Sequence, residues 1–208
     1  MLRESQLQRY VNELIIIMKN AISLIACPIF EDELKSVLSF DSEITLLLMD
    51  SIIHNNSKLM KQELTNAIAE VKDSNNNICL MVGCECECDT GIKQIAKDEG
   101  AKHPSGKNCI EIILGPERTK ELQNDRTIIF TKGWIKMIKE SLEKGLWSEV
   151  DVRTDFGYYD RVLVLDYGIA SLTDLEILSL YDLIQVPIEI EHVNLDYFKT
   201  VVKSLLEE

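Results

Sequence analysis

Ile78-Cys79-Leu80-Met81-Val82 runs directly into Gly83-Cys84-Glu85-Cys86-Glu87-Cys88-Asp89-Thr90-Gly91, and this junction decides the reading of the chain. Five consecutive apolar residues that include β-favouring Ile and Val predict a strand buried on both faces. After the loop, Ile92 to Ala96 has helical spacing. Three thiols and three carboxylates therefore sit on one strand-to-helix loop. Sulfur ligands in that position point to a metal site or a reactive thiol.

The same alternation recurs along the chain. Strands are predicted at Ile22–Ala26, Ile44–Met49, Ile78–Val82, Thr127–Phe130, Arg161–Leu165 and Val186–Glu191. Helices are predicted at 30–38, 58–72, 92–99, 116–122, 135–144, 172–184 and 196–206. Glu31, Asp32 and Glu33 open the first of these, as the helix dipole favours. Asn108 to Gly115 reads as either a buried helical turn or a strand, and residues 145–160 read as irregular. This pattern predicts an α/β fold with an open, mostly parallel sheet of about five or six strands and helices on both faces. Residues 1–20 add an amphipathic N-terminal helix, expected to cover the domain or to form a homodimer contact. Residues 21–208 are read as a single α/β domain.

Composition narrows the function. The chain has 208 residues, 46% of them hydrophobic, which is enough to bury a sizeable core. Its net charge of -13 argues against nucleic acid and anionic membranes as partners. The apolar runs are too short to span a bilayer, and the N-terminus does not read as a signal peptide. A cytoplasmic setting is expected, in which the six cysteines are thiols, metal ligands or catalytic groups.

In open parallel sheets, ligands bind beyond the carboxyl ends of the strands. Cys27 follows the first strand, His54 the second, and Cys84, Cys86 and Cys88 the third. Cys27, His54, Cys88 and Cys109 make a candidate metal shell, with zinc the first expectation and iron or an iron–sulfur cluster the alternative. Glu111 is expected behind the ligands or as a fifth ligand. Cys84 and Cys86 alternate with glutamates, so an extended loop would turn the thiols to one side for cofactor binding. Against this stands the bland reading of Cys27 and Cys109 as small core residues. Cys79 is read as core, and His103 and His192 as surface histidines. Asp50 and Asp166, near strand ends, can orient ligands or serve as solvated caps. Trp134 is read as core. The chain has no P-loop, dinucleotide fingerprint or Gly-x-Ser-x-Gly elbow. His54 lacks the Asp-x-His-x-x-Gly setting of a corrinoid ligand.

Several of these pieces together resemble a known family, domain of unknown function 1638. They are Ile25-Ala26-Cys27 with Glu33-Leu34, Ile53-His54-Asn55, Cys88-Asp89-Thr90-Gly91, Asn108-Cys109-Ile110 with Leu114-Gly115, and Thr131-Lys132-Gly133-Trp134-Ile135. The resemblance runs from about Ser23 onward. It implies a shared site at Cys27, His54, Cys88 and Cys109. The family often has Asp where this chain has Asn108, and a Gly-containing loop where this chain has Cys84 and Cys86. Members are common in anaerobic microbes, methanogens among them, often beside corrinoid methyltransferase systems. The resemblance therefore implies a role in one-carbon metabolism, with a corrinoid protein or methyltransferase as partner. Three functions remain open: a metal-binding protein serving methyl transfer, an iron–sulfur or metal-delivery protein using Cys84, Cys86 and Cys88, and a cysteine-nucleophile enzyme using Cys88 and His54.

Overall fold

A computed structural model describes residues 22–38, 43–50, 57–72, 77–83, 91–123, 126–169 and 171–207. The N-terminal helix expected over 1–20 lies outside them, as do His54, Cys84, Cys86 and Cys88.

The first half contains β1 (Ile22–Ala26), a 3-10 turn (Pro28–Phe30), α1 (Glu31–Val37), β2 (Ile44–Leu48), α2 (Ser57–Lys72), β3 (Asn77–Met81) and α3 (Ile92–Glu99). Two short helices, α4 (Cys109–Leu114) and α5 (Pro116–Leu122), lead into the second half. There follow β4 (Thr127–Phe130), α6 (Lys132–Glu143), α7 (Glu149–Phe156), β5 (Arg161–Asp166), α8 (Asp174–Ile184), β6 (Ile188–His192) and α9 (Asp196–Glu207).

All strand pairings are parallel, as expected, but the strands form two sheets rather than one. The first has the order β2-β1-β3 and the second β4-β5-β6. The reason lies at the open edge of β3. Lys102 N donates to Ile78 O at 2.9 Å, and Leu80 N donates to Lys102 O at 2.8 Å. One residue thus occupies the hydrogen-bonding groups that a fourth strand would need, and a lysine at a sheet edge discourages further pairing. The next strand, β4, starts a new sheet.

Both sheets are covered on both faces. Ser23 through Ala26 of β1 and Val162 through Leu165 of β5 are all buried. Successive strand residues face opposite sides, so burial of every residue requires cover on each side.

One hydrophobic core joins the halves. It takes Leu24, Ile25 and Leu80 from the first sheet together with Ile129, Leu163 and Leu165 from the second. The last helix returns to the first sheet: Phe198 stacks on Phe30 with ring centroids 5.8 Å apart, and the Cys79 thiol donates to Leu205 O at 3.3 Å. A second cluster lies beneath α7 and α8 and includes Phe130, Ile138, Phe156 and Ile184. Trp134 packs against both clusters.

One open reading is resolved and one changes. The ambiguous stretch 108–115 is a helix, α4, with Asn108 capping it by accepting from Glu111 N at 3.0 Å. The stretch read as irregular contains α7. Its start is a capping box: Ser148 accepts from Asp151 N, and the Asp151 carboxylate accepts from Ser148 N.

Candidate functional site

The carboxyl end of β1 is the natural place to begin. Its neighbours β2 and β3 lie on opposite sides, so the connections diverge there, at the kind of point where open parallel sheets bind ligands. Cys27 is the first residue past the strand. Its backbone N donates to Met81 O at 3.0 Å and its carbonyl accepts from Phe30 N at 3.0 Å. Pro28 then opens the 3-10 turn with the φ that turn requires. Cys27 is buried.

The turn feeds α1, whose acidic opening divides by direction. Glu31 faces outward and pairs with Lys35 at 2.7 Å and with Lys136. Glu33 faces inward and is 1% exposed. Ile29, Phe30, Glu33 and Leu34 are the buried positions of this segment. Their spacing is that of one helical face, so Glu33 occupies a core position. Burial pushes its carboxyl up to about 7, and the nearby Asp32 charge adds to the effect. Among the described residues, Oε2 of Glu33 has no hydrogen-bond partner.

Three groups from other elements stand around this carboxyl. Tyr167, just past β5, has a buried hydroxyl that makes no well-formed hydrogen bond, yet it lies close enough to Glu33 to act on its acidity. Burial, with Glu33 and Cys109 nearby, holds the phenol well above its ordinary range. Cys109 opens α4 and is buried, and burial pushes its thiol up to about 11. The Glu33 charge works in the same direction. Trp134 Nε1–H donates to Cys109 Sγ at 3.1 Å, which favours the thiolate. Carboxyl, thiol and phenol are all acids, and among the described residues no cation acts on Glu33.

Close backbone packing holds the halves together here. A Cβ on Gly133 would lie 2.2 Å from Ile29 O, so only glycine lets α6 rest against the 3-10 turn. Trp134 is the next residue, and its position depends on that approach.

Other predicted site residues fall elsewhere. Glu111 accepts from Lys107 N at 3.0 Å and lines a groove of about 380 Å³ with Thr119, Lys120, Tyr158 and Tyr159. Two helical residues are about 200° apart, so Glu111 and the Cys109 thiol leave α4 on opposite sides. The structure does not bring them together. Asp50 pairs with Lys144 at 3.3 Å, and His103 Nδ1 lies 2.7 Å from Pro104 O. Among the described residues, no three of His, Cys, Asp and Glu are close enough to share an ion. A shell of three or more such residues would therefore draw at least one donor from outside the described residues, where His54 and Cys88 lie.

Sequence reasoning missed Glu33 and Tyr167. Glu33 could have been found from its place on the Ile29, Phe30, Leu34 stripe. Tyr167 offered only its position beyond a buried strand.

Fold and site together define a parallel α/β protein of two sheets, with a buried acid–thiol cluster where the two halves meet. Residues 48–202 match the family described as Protein of unknown function (DUF1638), and the chain belongs to that family. The match begins at the end of β2, so Cys27 and Glu33 precede it. No curated protein and no solved structure matches the chain.

Proposed function

We propose that this protein binds a metal ion, zinc before iron, at the carboxyl end of β1, and that the bound ion serves corrinoid-linked methyl transfer. One observation carries the reading: among the described residues Oε2 of the buried Glu33 has no hydrogen-bond partner, and this carboxyl lies near enough to Cys109 to act on its thiol. A buried acidic group without a partner is costly, and a cation offsets that cost for carboxylate and thiolate alike.

In this reading Cys109 and Cys27 are the thiolate donors from the described residues, with His54 and Cys88 completing the shell. Their segments leave the carboxyl ends of β2 and β3, on the edge where Cys27 sits. Soft sulfur with imidazole suits zinc. Glu33 takes the place expected for Glu111, as a ligand or as the acceptor of a ligand's proton. Such an ion would lower the pKa of a coordinated thiol or water. The Trp134 indole steadies Sγ of Cys109 by hydrogen bonding, and the aromatic walls of Trp134 and Tyr167 limit water. Glu33, poised near neutrality, holds or releases a proton beside the thiol. The link to one-carbon metabolism rests on the family resemblance alone.

Anaerobic purification with elemental analysis and a visible spectrum tests this. One colourless equivalent of zinc is expected, lost in Cys109→Ser and weakened in Glu33→Gln. A brown, sulfide-containing protein would favour the cluster or delivery reading through Cys84, Cys86 and Cys88. Metal-free protein with one hyper-reactive thiol would favour the nucleophile reading. Full metal retention in both variants removes Cys109 and Glu33 from the site.

A further inference from the structure

A second pocket lies at the carboxyl edge of the second sheet, and it does not depend on the metal reading. It encloses about 200 Å³ and is lined by Lys132, Val164, Leu165, Asp166, Ser171, Leu172, Ile190 and His192. At its base Asp166 ends β5. Its Oδ1 accepts from Gly168 N at 2.8 Å and from the Ser171 hydroxyl at 2.7 Å. Its Oδ2 lies 3.3 Å from His192 Nδ1 at the end of β6. The Gly168 backbone N–H, and then the Ser171 hydroxyl, hold this carboxyl below its usual range.

The arrangement is directional. The Asp166 side chain is 14% exposed, while that of His192 is 80% exposed. In the neutral imidazole tautomer with its proton on Nδ1, toward this carboxylate, Nε2 is the acceptor. Lys132, the first residue of α6, brings a positive charge to the same pocket, and that charge also acts on the Glu176 carboxylate of α8. Val164, Leu172 and Ile190 supply an apolar wall.

We propose that this pocket binds a small hydroxy acid, with its carboxylate on Lys132, its hydroxyl donating to His192 Nε2 and its short carbon chain against Val164, Leu172 and Ile190. Each part follows from one wall. The cation calls for an anionic group. The Asp166 carboxylate repels a doubly charged phosphate about twice as strongly as a singly charged carboxylate. The oriented imidazole calls for a donor. The volume lies below the usual range of drug-sized sites, about 300 to 1,000 Å³, so the ligand is small.

The test is a titration of the full chain followed by proton–nitrogen correlation spectra, with 2-hydroxy-3-methylbutanoate as probe. The expected result is saturable shifts confined to Gly168, Ser171, Leu172 and His192. Affinity should fall roughly tenfold for the uncharged amide of the same acid and for 3-methylbutanoate, which lacks the hydroxyl. Lys132→Gln and His192→Gln should each cause a similar loss, with folding checked by melting. The two altered probes test the same contacts on the unaltered protein, whatever the variants do. Equal binding of the amide, equal binding of the deoxy acid, tighter binding of inorganic phosphate, or no binding at all overturns the proposal.

Discussion

The indole N–H of Trp134 donates to the sulfur of Cys109 at 3.1 Å, joining the first turn of α6 to the first turn of α4. The bond crosses the seam between the two halves and ends on a buried thiol of the candidate site. Trp134 is therefore more than filling between two hydrophobic clusters. Among the described residues, it holds the one donor that favours ionisation of Cys109 from outside α4.

Replacing Trp134 with Phe keeps an aromatic ring and removes that donor. Stability should fall by about 1 kcal/mol for the hydrogen bond, with a further loss for the smaller ring. The Cys109 thiol should rise above its already elevated value. Urea unfolding of the variant checks the first statement. The pH dependence of metal uptake checks the second: half-uptake should move to higher pH.

Glu33 gives the metal-free protein a distinctive pH response. Its carboxyl sits at about 7 in the fold, above the 4.5 of an exposed glutamate. The folded chain therefore holds the proton more tightly than the unfolded chain. Stability from this group is full below pH 4.5 and is lost as pH rises through 7. The size is on the order of 3 kcal/mol. In Glu33→Gln this loss should disappear, so the variant gains on the parent between pH 5 and pH 8. Parallel stability–pH curves for the two proteins would contradict it. Bound zinc should reverse the trend, because the ion favours the carboxylate.

Gly133→Ala is expected to be far more damaging than an ordinary glycine substitution. The added methyl meets the Ile29 carbonyl, a backbone group that cannot rotate away. A loss of about 1 to 3 kcal/mol, or more, follows from forcing the helix off the turn. Metal content should fall with it, since α6 carries Trp134. A thermal melt with metal analysis of the same sample tests both.

Ser148→Ala removes the capping box of α7. The expected cost is about 1 kcal/mol, read by denaturation. Ser148→Asp should recover most of it, because aspartate caps as well as serine.

The strands were plainly written in the sequence. Five unbroken apolar residues at Ile78–Val82 leave little choice, and the parallel pairing follows from the helices between strands. The division into two sheets was not legible. It depends on the Lys102 backbone lying along β3, a long-range pairing with no local signature. α7 was partly legible: Ser148 and Asp151 are a capping pair, but the aromatics around them drew attention to irregular structure. In the site, Cys27 is legible as the residue after the first strand, whereas Cys109 lies in a stretch that reads equally as helix or strand. Glu33 was overlooked because three acids in a row suit a helix N-terminus on their own, and only the inward stripe distinguishes the third. Glu111 looked equivalent to a site residue by proximity in sequence, yet helical geometry turns it away.

The return of α9 to the first sheet has a consequence for biosynthesis. Phe30 and Cys79 belong to strands and turns that leave the ribosome early, whereas their contacts Phe198 and Leu205 are translated after every strand. During translation the early sheet stays open on one side. A nascent chain arrested before Asp196 should remain protease-sensitive throughout β1 and β3, although both strands have already emerged.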